Sequence, residues 1–301
     1  MTRLRVGTRG SDLALRQTRW VCDLVQTVKA GVEFEEIVIK THGDIASAQP
    51  LDTDFPVGGF VSAIEQALLE GRIDFAVHSY KDLPTAATPG LMIVAVPIRE
   101  VPHDVLVTRE PVDLERLPNG LKLGTSSPRR AAQFRRLAEV RIVAIRGNVP
   151  SRVAMVEKGE VDGVVLAAAG LKRLGLRPPN LIDLPIDRFV PAPAQGALAV
   201  QVREADSIAA LVAAIEHRPS RLAVESERSF LRSLHAGCHT PVGALAAMNG
   251  NTISLHGQLF SDDGLRMVEG VETGDDPQAV GTSLAGRLAQ ELHETHSKPG
   301  A

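Results

Sequence analysis

Repeated alternation of short apolar strands with amphipathic helices is the feature that most constrains this chain. Residues 4–7 are typical of a strand, and Ser11 is a suitable N-cap for the helix that follows, because its hydroxyl can accept a hydrogen bond from a free backbone N–H. Residues 34–40 and 74–78 have the pattern of two further strands, and apolar residues at helical spacing from Phe60 onward lie between them. This order predicts an α/β protein with helices packed on sheets.

A second set of strands and helices follows in the middle of the chain. Residues 91–96 and 104–108 are apolar strands, and the prolines between them mark a crossing point between domains. Alternation resumes over 121–166, whereas the apolar strand 197–202 could complete either sheet. The sequence therefore predicts two α/β lobes around a cleft into which the carboxyl ends of the strands point. The last part differs: a helix over about 220–234, strands with alternating apolar residues around 253–260 and 266–271, and a helix near 277–292 predict a smaller C-terminal α+β domain from about residue 217 onward.

Composition narrows the classes of function. The chain of 301 residues has a formal net charge of −3, which argues against general nucleic-acid binding, because that activity usually requires a strongly basic face. The first residues lack the apolar core of a signal peptide and no apolar run approaches a membrane span, so we expect a cytoplasmic protein. Cys22 and Cys238 form neither a zinc pattern nor a disulfide framework, and Cys22 fits an inert position on a helix.

An anion site is predicted at residues 124–130, Gly-Thr-Ser-Ser-Pro-Arg-Arg. The segment follows an apolar strand and begins a helix, where free backbone amides and the helix dipole favour negative charge. Pro128 suits the first helical turn, and Arg129 and Arg130 can each form forked hydrogen bonds to a carboxylate or phosphate. The structural alternative is a capped helix with two solvated arginines.

Three other polar segments follow predicted strands and therefore belong on the cleft side. They are residues 8–11, 78–82 and 146–152. Each has a structural interpretation by itself, as a helix cap, a surface ion pair or solvated charges at a helix start. Together with Arg129 and Arg130, however, they place at least five arginines and one lysine at element ends facing a common space. Such a concentration of like charge predicts a ligand with several carboxylates or phosphates.

Two residues could take part in chemistry. Asp82 would stand among these cations, where its carboxylate could stabilise a cationic intermediate or shuttle protons, or could simply pair with Lys81. Cys238 lies on a glycine-flanked loop between His235 and His239, which could promote its reactive thiolate, although a free cysteine is often an inert apolar residue. Both interpretations of each residue remain open at this point.

Common nucleotide and metal motifs are absent from the sequence. It contains no GxxxxGK[ST] loop, no GxGxxG after the first strand and no HExxH pattern. Four histidines are scattered without ligand spacing, and we interpret them as structural: His42, His78, His103 and His217. No metal is expected.

Seven segments can be compared with known families. They are GTRGSDLAL (7–15), HSYKDLPT (78–85), GTSSPRRAAQ (124–133), RGNVPSR (146–152), LAAAGLKRLGL (166–176), PAPAQGALAV (191–200) and AGCHTPVG (236–243). Taken in order, they resemble the porphobilinogen deaminase (hydroxymethylbilane synthase) family of tetrapyrrole biosynthesis. A single motif such as TSSPRR could recur by chance, but seven motifs in the family's order could not.

The resemblance implies an architecture and a cofactor. It implies two periplasmic-binding-protein-like lobes, formed by residues 1–98 with 194–216 and by residues 99–193, and a C-terminal domain over 217–301. It also implies that Cys238 forms a thioether to a dipyrromethane cofactor, itself built from two porphobilinogen units. Four more porphobilinogen molecules would be added with loss of ammonia, and hydrolysis would release hydroxymethylbilane. We therefore expect porphobilinogen as the substrate, no nucleic-acid or membrane partner, and a monomer.

The resemblance also implies roles for single residues. Asp82 would be the catalytic residue, whose negative charge balances the positive charge that spreads into a pyrrole and steers the pyrrole nitrogens. Gln195 and Gly196 would shape the crossover beside the cofactor. The carboxylate-binding set would be Arg9, Ser11, Lys81, Thr125, Ser126, Arg129, Arg130, Arg146, Arg152 and Arg173. Because the substrate carries acetate and propionate arms, a growing chain would accumulate carboxylates for these residues to bind.

The chain departs from the family in one region, and two other functions remain as alternatives. The loop 56–60 is short and has no lysine, His42 stands where some relatives have Arg, and Asp12 replaces a common Pro, so no contact is assigned to residues 42–60. A non-catalytic protein could bind a carboxylated ligand in the same cleft without releasing ammonia. A nucleic-acid-binding module would lose affinity steeply with salt, but the negative net charge disfavours it.

Overall fold

The computed structural model describes residues 2–40, 61–234 and 241–297. The chain divides into two compact units. Residues 1–100 and 196–221 belong to the first unit, and residues 101–195 and 222–301 belong to the second. Within the described ranges, no helix combines the length and the apolar character needed to cross a membrane.

The first unit is built on a five-stranded mixed sheet. Its strands are β1 (Thr2–Thr8), β2 (Val32–Val38), β3 (Phe75–Ser79), β4 (Leu91–Ala95) and β10 (Leu198–Arg203), in the spatial order β2-β1-β3-β10-β4. β1 runs parallel to β2 and β3, whereas β10 is antiparallel to β3 and β4. β10 is the strand that the sequence could assign to either sheet, and it completes the first one.

Helices pack on both faces of this sheet. The helices of the first unit include α1 (Asp12–Val28), α2 (Ser62–Leu69) and α6 (Ala209–Ala213). Phe75 belongs to the same apolar cluster as Val21 of α1, while Ala76, the next residue of β3, clusters with Ile64 of α2. Successive side chains of a strand point to opposite faces, so a strand covered on both faces is apolar throughout.

The second unit contains another five-stranded sheet with the same arrangement. Its strands are β5 (Asp104–Thr108), β6 (Leu121–Gly124), β7 (Val140–Val143), β8 (Gly163–Ala167) and β9 (Leu181–Asp183), in the order β7-β6-β8-β5-β9. Its helices are α3 (Pro128–Leu137), α4 (Val149–Glu157) and α5 (Ala168–Leu174). As in the first sheet, three parallel strands are followed by an antiparallel strand from a distant part of the chain.

The C-terminal part is an antiparallel sheet with two helices. The strands are β11 (Val242–Asn249), β12 (Thr252–Phe260) and β13 (Met267–Gly274), and the helices are α7 (Arg218–Ser233) and α8 (Pro277–Ser297). Phe230 and Leu284 meet over Gly257, where an added Cβ would lie 2.9 Å from each side chain, so the close packing requires glycine. Together, the three sheets confirm the predicted class, two α/β lobes and a smaller α+β domain.

Candidate active site

A small cavity lies where the strands β1 and β3 of the first sheet end. β1 and β3 are parallel neighbours, with Val6 opposite Phe75, so the segments that follow the two strands emerge side by side. The cavity has a volume of about 80 Å³. Its polar lining residues are Arg9, Ser11, Gln17, His78, Ser79 and Asp82. Three residues predicted for the site, Arg9, Ser11 and Asp82, are therefore brought together here.

Ser11 also begins the helix beside the cavity. Its Oγ accepts a hydrogen bond from the Ala14 N–H at 3.3 Å, which confirms the predicted N-cap. The N-terminus of α1 therefore lies at the cavity, and its dipole adds to the positive potential of Arg9.

Asp82 lies in a 3₁₀ turn, Tyr80–Asp82, directly after β3. The turn is fixed on both sides, because the Tyr80 N–H donates to the carbonyl of Ala197 at 3.0 Å and the Leu83 N–H donates to the Tyr80 carbonyl at 3.3 Å. Tyr80 and Leu83 are buried, whereas Lys81 and Asp82 are exposed. The turn therefore holds the Asp82 carboxylate at the cavity without burying its charge.

Two other polar residues line this cavity, Gln17 and Ser79. Gln17 is not predicted for this site from the sequence, and Ser79 has no predicted role, although it belongs to the segment 78–82 that is predicted to lie on the cleft side. The Gln17 side-chain amide donates to Ser79 Oγ at 2.9 Å and accepts from it at 3.2 Å, which joins α1 to the end of β3. Gln17 is buried, and a glutamine on the apolar face of a helix was the one available signal.

His78 is the third polar residue that the sequence analysis did not assign to the site. It lies on β3, is buried, and its Nε2 is 3.0 Å from Gln201 Oε1 of β10. Burial lowers the pKa of this imidazole to about 4, although the contact with Gln201 acts in the opposite direction. His78 therefore lines the cavity as a neutral ring at physiological pH.

In the second unit, the predicted anion site contains a buried ion cluster. Asp104 of β5 is fully buried, and its carboxylate lies 2.9 Å from Arg129 Nη2 and 2.6 Å from Arg130 Nη2. Pro128 occupies the first turn of α3 as predicted, and Ser127 is its N-cap. Arg129 and Arg130 are only 4% and 7% exposed, so the alternative with two solvated arginines is wrong.

Burial and the neighbouring charges shift the pKa values of Asp104 and Arg129. Burial alone would raise the pKa of Asp104, but the guanidiniums of Arg129 and Arg130 outweigh it and hold the pKa of the carboxyl well below its usual range. Burial lowers the pKa of Arg129, and Asp104 opposes that change. Because guanidinium groups stay protonated in proteins, all three side chains are charged at neutral pH.

Arg129 and Arg130 also donate hydrogen bonds to uncharged side-chain and backbone oxygens. Arg129 Nη1 donates to Gln133 Oε1 and to the Val190 carbonyl, at 3.0 Å each. Arg130 Nη1 donates to the Val165 carbonyl at 2.8 Å. Gln133 in turn donates to Gln258 Oε1 at 2.9 Å, which links α3 to β12 of the C-terminal sheet. The network therefore fixes both guanidiniums in place.

Arg152 adds a third guanidinium to the cluster. It is half-buried on α4, and burial and the nearby charge of Arg130 both lower its pKa. Among the residues that the structure describes, three guanidiniums thus accompany the single carboxylate of Asp104. In the part of the chain that the structure describes, Arg130 Nε has no hydrogen-bond partner. This excess of positive charge suits a ligand that carries carboxylates.

The predicted hydroxyls connect the strand ends around this cluster. Ser126 Oγ donates to the Ile145 carbonyl at 2.6 Å and accepts from the Ile145 N–H at 2.9 Å, so the segments after β6 and β7 lie side by side. Thr125 Oγ1 accepts from the Ser127 N–H at 3.1 Å. Arg146 follows Ile145 and is half-buried. Arg173 is half-buried in the last turn of α5.

Gln195 joins the same cluster, and Gly196 follows it in the chain. Gln195 is buried, and its amide donates to Asp104 Oδ1 at 2.8 Å and to the Pro102 carbonyl at 2.7 Å. Gly196 has a φ of +86°, and Ala194 has the φ of +62° that non-glycine residues rarely adopt. The buried Glu227 carboxylate accepts the Ala194 N–H at 2.6 Å and holds this unfavourable conformation.

Of the two cysteines, the structure describes only Cys22. Cys238 lies outside the described residues, together with His235, His239 and the whole segment 41–60. Cys22 lies on α1 and is buried, and burial raises the pKa of its thiol to about 12. Cys22 is therefore an unreactive thiol, as the sequence indicates.

Family models match most of the chain. Residues 4–210 match the model described as "Porphobilinogen deaminase, dipyromethane cofactor binding domain". Residues 221–290 match "Porphobilinogen deaminase, C-terminal domain". Porphobilinogen deaminase of Desulforudis audaxviator is 43% identical over 289 residues, covering 95% of this chain and 94% of that protein. Porphobilinogen deaminase 1 of Streptomyces coelicolor is 45% identical over 303 residues, covering 96% and 94%.

Solved structures show more distant similarity. The probable amino-acid ABC transporter extracellular-binding protein ytmK from Bacillus subtilis aligns with a TM-score of 0.43 at 8% identity, covering 71% of this chain and 90% of that one. The VFT2 domain of Bordetella pertussis BvgS aligns with a TM-score of 0.41 at 18% identity, covering 71% and 85%.

Proposed function

The chain belongs to the porphobilinogen deaminase family, and we propose that it polymerises four porphobilinogen molecules head to tail onto a covalently bound dipyrromethane primer. Each addition releases ammonia, and hydrolysis then releases hydroxymethylbilane for tetrapyrrole and haem biosynthesis. The observation that carries this function is the cluster of Arg129, Arg130 and Arg152, whose positive charge exceeds the negative charge of Asp104. Pyrroles with acetate and propionate arms supply the carboxylates that such a cluster binds.

Carboxylate binding is assigned to residues of both units. Arg129 and Arg130 donate several of their hydrogens to Asp104 and to neutral oxygens, so they act chiefly as a fixed source of positive potential. The more accessible members make the direct contacts to substrate carboxylates. These are Arg9, Ser11 and Lys81 in the first unit and Ser126, Arg146, Arg152 and Arg173 in the second. Thr125, which is buried, completes the proposed set beside Ser126.

The dipyrromethane cofactor fits the residues of the second unit. The group carries carboxylates, and the cluster has surplus positive charge and a guanidinium nitrogen, Arg130 Nε, without a partner among the described residues. Cys238 holds the cofactor through a thioether. When bound, the cofactor supplies the free pyrrole carbon to which the first substrate adds. Gln195, which is bonded to Asp104, and Gly196 shape the chain beside it.

Asp82 provides the counter-charge for deamination. When the C–N bond of the aminomethyl group breaks, its electron pair leaves with ammonia and a positive charge spreads into the pyrrole ring. The Asp82 carboxylate accepts a hydrogen bond from the pyrrole N–H and stabilises that charge. Because the turn is anchored at Tyr80 and Leu83, the carboxylate needs little rearrangement during the reaction.

The finer organisation is also proposed. Residues 1–98 with 194–216 form the first lobe, residues 99–193 form the second, and residues 217–301 form the domain that carries the cofactor cysteine. The three sheets support this division. The protein acts in the cytoplasm as a monomer, with porphobilinogen as its partner and without nucleic acid or membrane.

Simultaneous measurement of ammonia and product tests the function. The purified protein is incubated with porphobilinogen, and we expect repeated turnover with four ammonia molecules released for each tetrapyrrole. Stoichiometric binding of porphobilinogen without ammonia release would instead support a non-catalytic binding protein. Steeply salt-dependent binding of nucleic acid, with no turnover, would support the third alternative.

A further inference from the structure

The cavity of the first unit contains a histidine whose ring is held in one tautomer. Gln201 donates through its Nε2 to the Glu65 carboxylate at 2.9 Å, which turns its Oε1 toward His78. An amide oxygen can only accept, so the 3.0 Å contact between Gln201 Oε1 and His78 Nε2 requires the hydrogen on Nε2. The neutral ring therefore keeps its lone pair on Nδ1.

Nδ1 is the ring nitrogen of His78 that the contact with Gln201 leaves unused. His78 lines the cavity together with Asp82, whereas Gln201 and Glu65 do not line it. Within the described part of the chain, the hydrogen bond at Nε2 is the only one that the imidazole makes. Burial lowers the pKa of His78 to about 4, so the lone pair on Nδ1 is available at neutral pH. The residues that line the cavity thus include this neutral acceptor, the Asp82 carboxylate and the Arg9 guanidinium.

We propose that His78 is a substrate-binding residue whose Nδ1 accepts a hydrogen bond from the aminomethyl group of porphobilinogen, beside the Asp82 carboxylate. This inference rests on the proposed function and assigns the arm of the substrate that enters the cavity. The aminomethyl group is an ammonium at neutral pH and offers only donors, as a lysine side chain does. With a volume of about 80 Å³, the cavity suits a compact polar arm better than a whole substituted pyrrole.

The chemistry of the leaving group explains why the acceptor is neutral. A charged imidazolium would repel the ammonium and would offer it no lone pair. A neutral acceptor next to one carboxylate orients the group while the C–N bond breaks, and it does not take up the proton. The two hydrogen bonds that link His78 to Gln201 and Gln201 to Glu65 therefore position Nδ1 and fix its protonation state.

Two substitutions separate binding at Nδ1 from the structural contact at Nε2. The longer side chain of His78→Gln reaches Gln201 and keeps that contact, but it lacks the acceptor at Nδ1. The shorter His78→Asn places an amide near the Nδ1 position and loses the contact with Gln201. We expect His78→Gln to lower kcat/KM for porphobilinogen roughly ten- to a hundred-fold, as for a lost hydrogen bond to a charged group, and His78→Asn to lower it less.

Control measurements make the comparison interpretable. His256→Gln, a substitution in the C-terminal sheet, should leave kcat/KM unchanged. A pyrrole with the same acetate and propionate arms and a methyl in place of the aminomethyl group should inhibit the native protein and His78→Gln equally. The opposite order of the two His78 variants, equal losses in both folded variants, or weaker inhibition of His78→Gln by the methyl compound would overturn the proposal.

Nitrogen-15 spectra of the histidine rings test the proposal without using activity. In the holoenzyme at pH 7, His78 should show a protonated Nε2 and an unprotonated Nδ1, and the Nδ1 signal should shift when porphobilinogen binds. A protonated Nδ1, or a signal that does not respond, would overturn the inference. Failure of the proposed function would be recognised separately, because the native protein itself would then release no ammonia.

Discussion

The Asp104 carboxylate accepts a hydrogen bond from Arg130 at 2.6 Å, in a position where neither side chain is appreciably exposed. Arg129 lies 2.9 Å from the other carboxylate oxygen. Removing charged groups from water is costly, so these side chains stay buried only because they compensate each other. The pair of Asp104 and Arg130 is therefore a structural element of the second unit and the fixed part of its proposed anion site.

Asp104→Asn should destabilise the protein strongly. The amide keeps the shape of the side chain, but it leaves two buried guanidiniums without their counter-charge, so we expect a loss of about 3 to 5 kcal/mol in the free energy of unfolding. Urea denaturation measures the change. Asp183→Asn is the matched control, because Asp183 is 72% exposed beside His103 and its pair should contribute less than about 1 kcal/mol. Equal losses in both variants would contradict this account.

Asp82→Asn should retain the fold and lose nearly all turnover. The carboxylate is exposed, so its charge contributes little to stability, but the neutral amide cannot balance the positive charge that forms on the pyrrole. Circular dichroism and the rate of ammonia release measure the two effects. Asp23→Asn, an exposed substitution on α1, should leave both unchanged. Near-normal turnover by Asp82→Asn would remove Asp82 from its central role.

Arg146→Ala and Arg129→Ala should both impair cofactor assembly or chain elongation, but they should differ in stability. Arg146 is half-buried, so its loss should chiefly weaken carboxylate binding. Arg129 is buried against Asp104, so its loss should also reduce the free energy of unfolding by roughly a few kcal/mol. Cofactor content by mass, elongation kinetics and urea denaturation separate the effects. Unchanged cofactor content and kinetics in both variants would contradict carboxylate binding by these residues.

His78 should make stability depend on pH in a defined window. Its pKa is about 4 in the folded protein and near 6.5 in the unfolded chain, so the unfolded state binds the extra proton between these values. The free energy of unfolding should therefore rise by roughly 3 kcal/mol from pH 4 to 6.5 on account of His78, and this contribution should be constant at higher pH. Denaturation of the native protein and of His78→Gln across that range measures it. Parallel pH profiles of the two proteins would contradict the assignment.

The sequence predicts features whose causes lie within a few residues. Ser11 is a cap because it precedes a helical pattern, and Pro128 fits the first turn of its helix. The alternation of strands and helices predicts both α/β sheets for the same reason. The position of β10 was ambiguous, because a strand buried on both faces has no pattern that identifies its neighbours.

Features that depend on distant residues could not be predicted. Asp104 appeared as part of an apolar strand, because its partners Arg130 and Gln195 lie 26 and 91 positions away in the sequence. His78 was interpreted as structural, since its contact with Gln201 spans 123 positions. The sequence therefore predicts which residue types gather at the strand ends, and the fold determines which of them compensate each other. The role of each remains a prediction.

The proposed function depends on a pyrrole primer that is covalently attached to Cys238. The most direct test is the intact mass of the purified protein under denaturing conditions, compared with that of Cys238→Ser. We predict that the native protein exceeds its sequence mass by two porphobilinogen units, each less one ammonia, and that the variant has no such excess. A native chain that remains unmodified even after incubation with porphobilinogen, or an equal excess in the variant, would contradict the account.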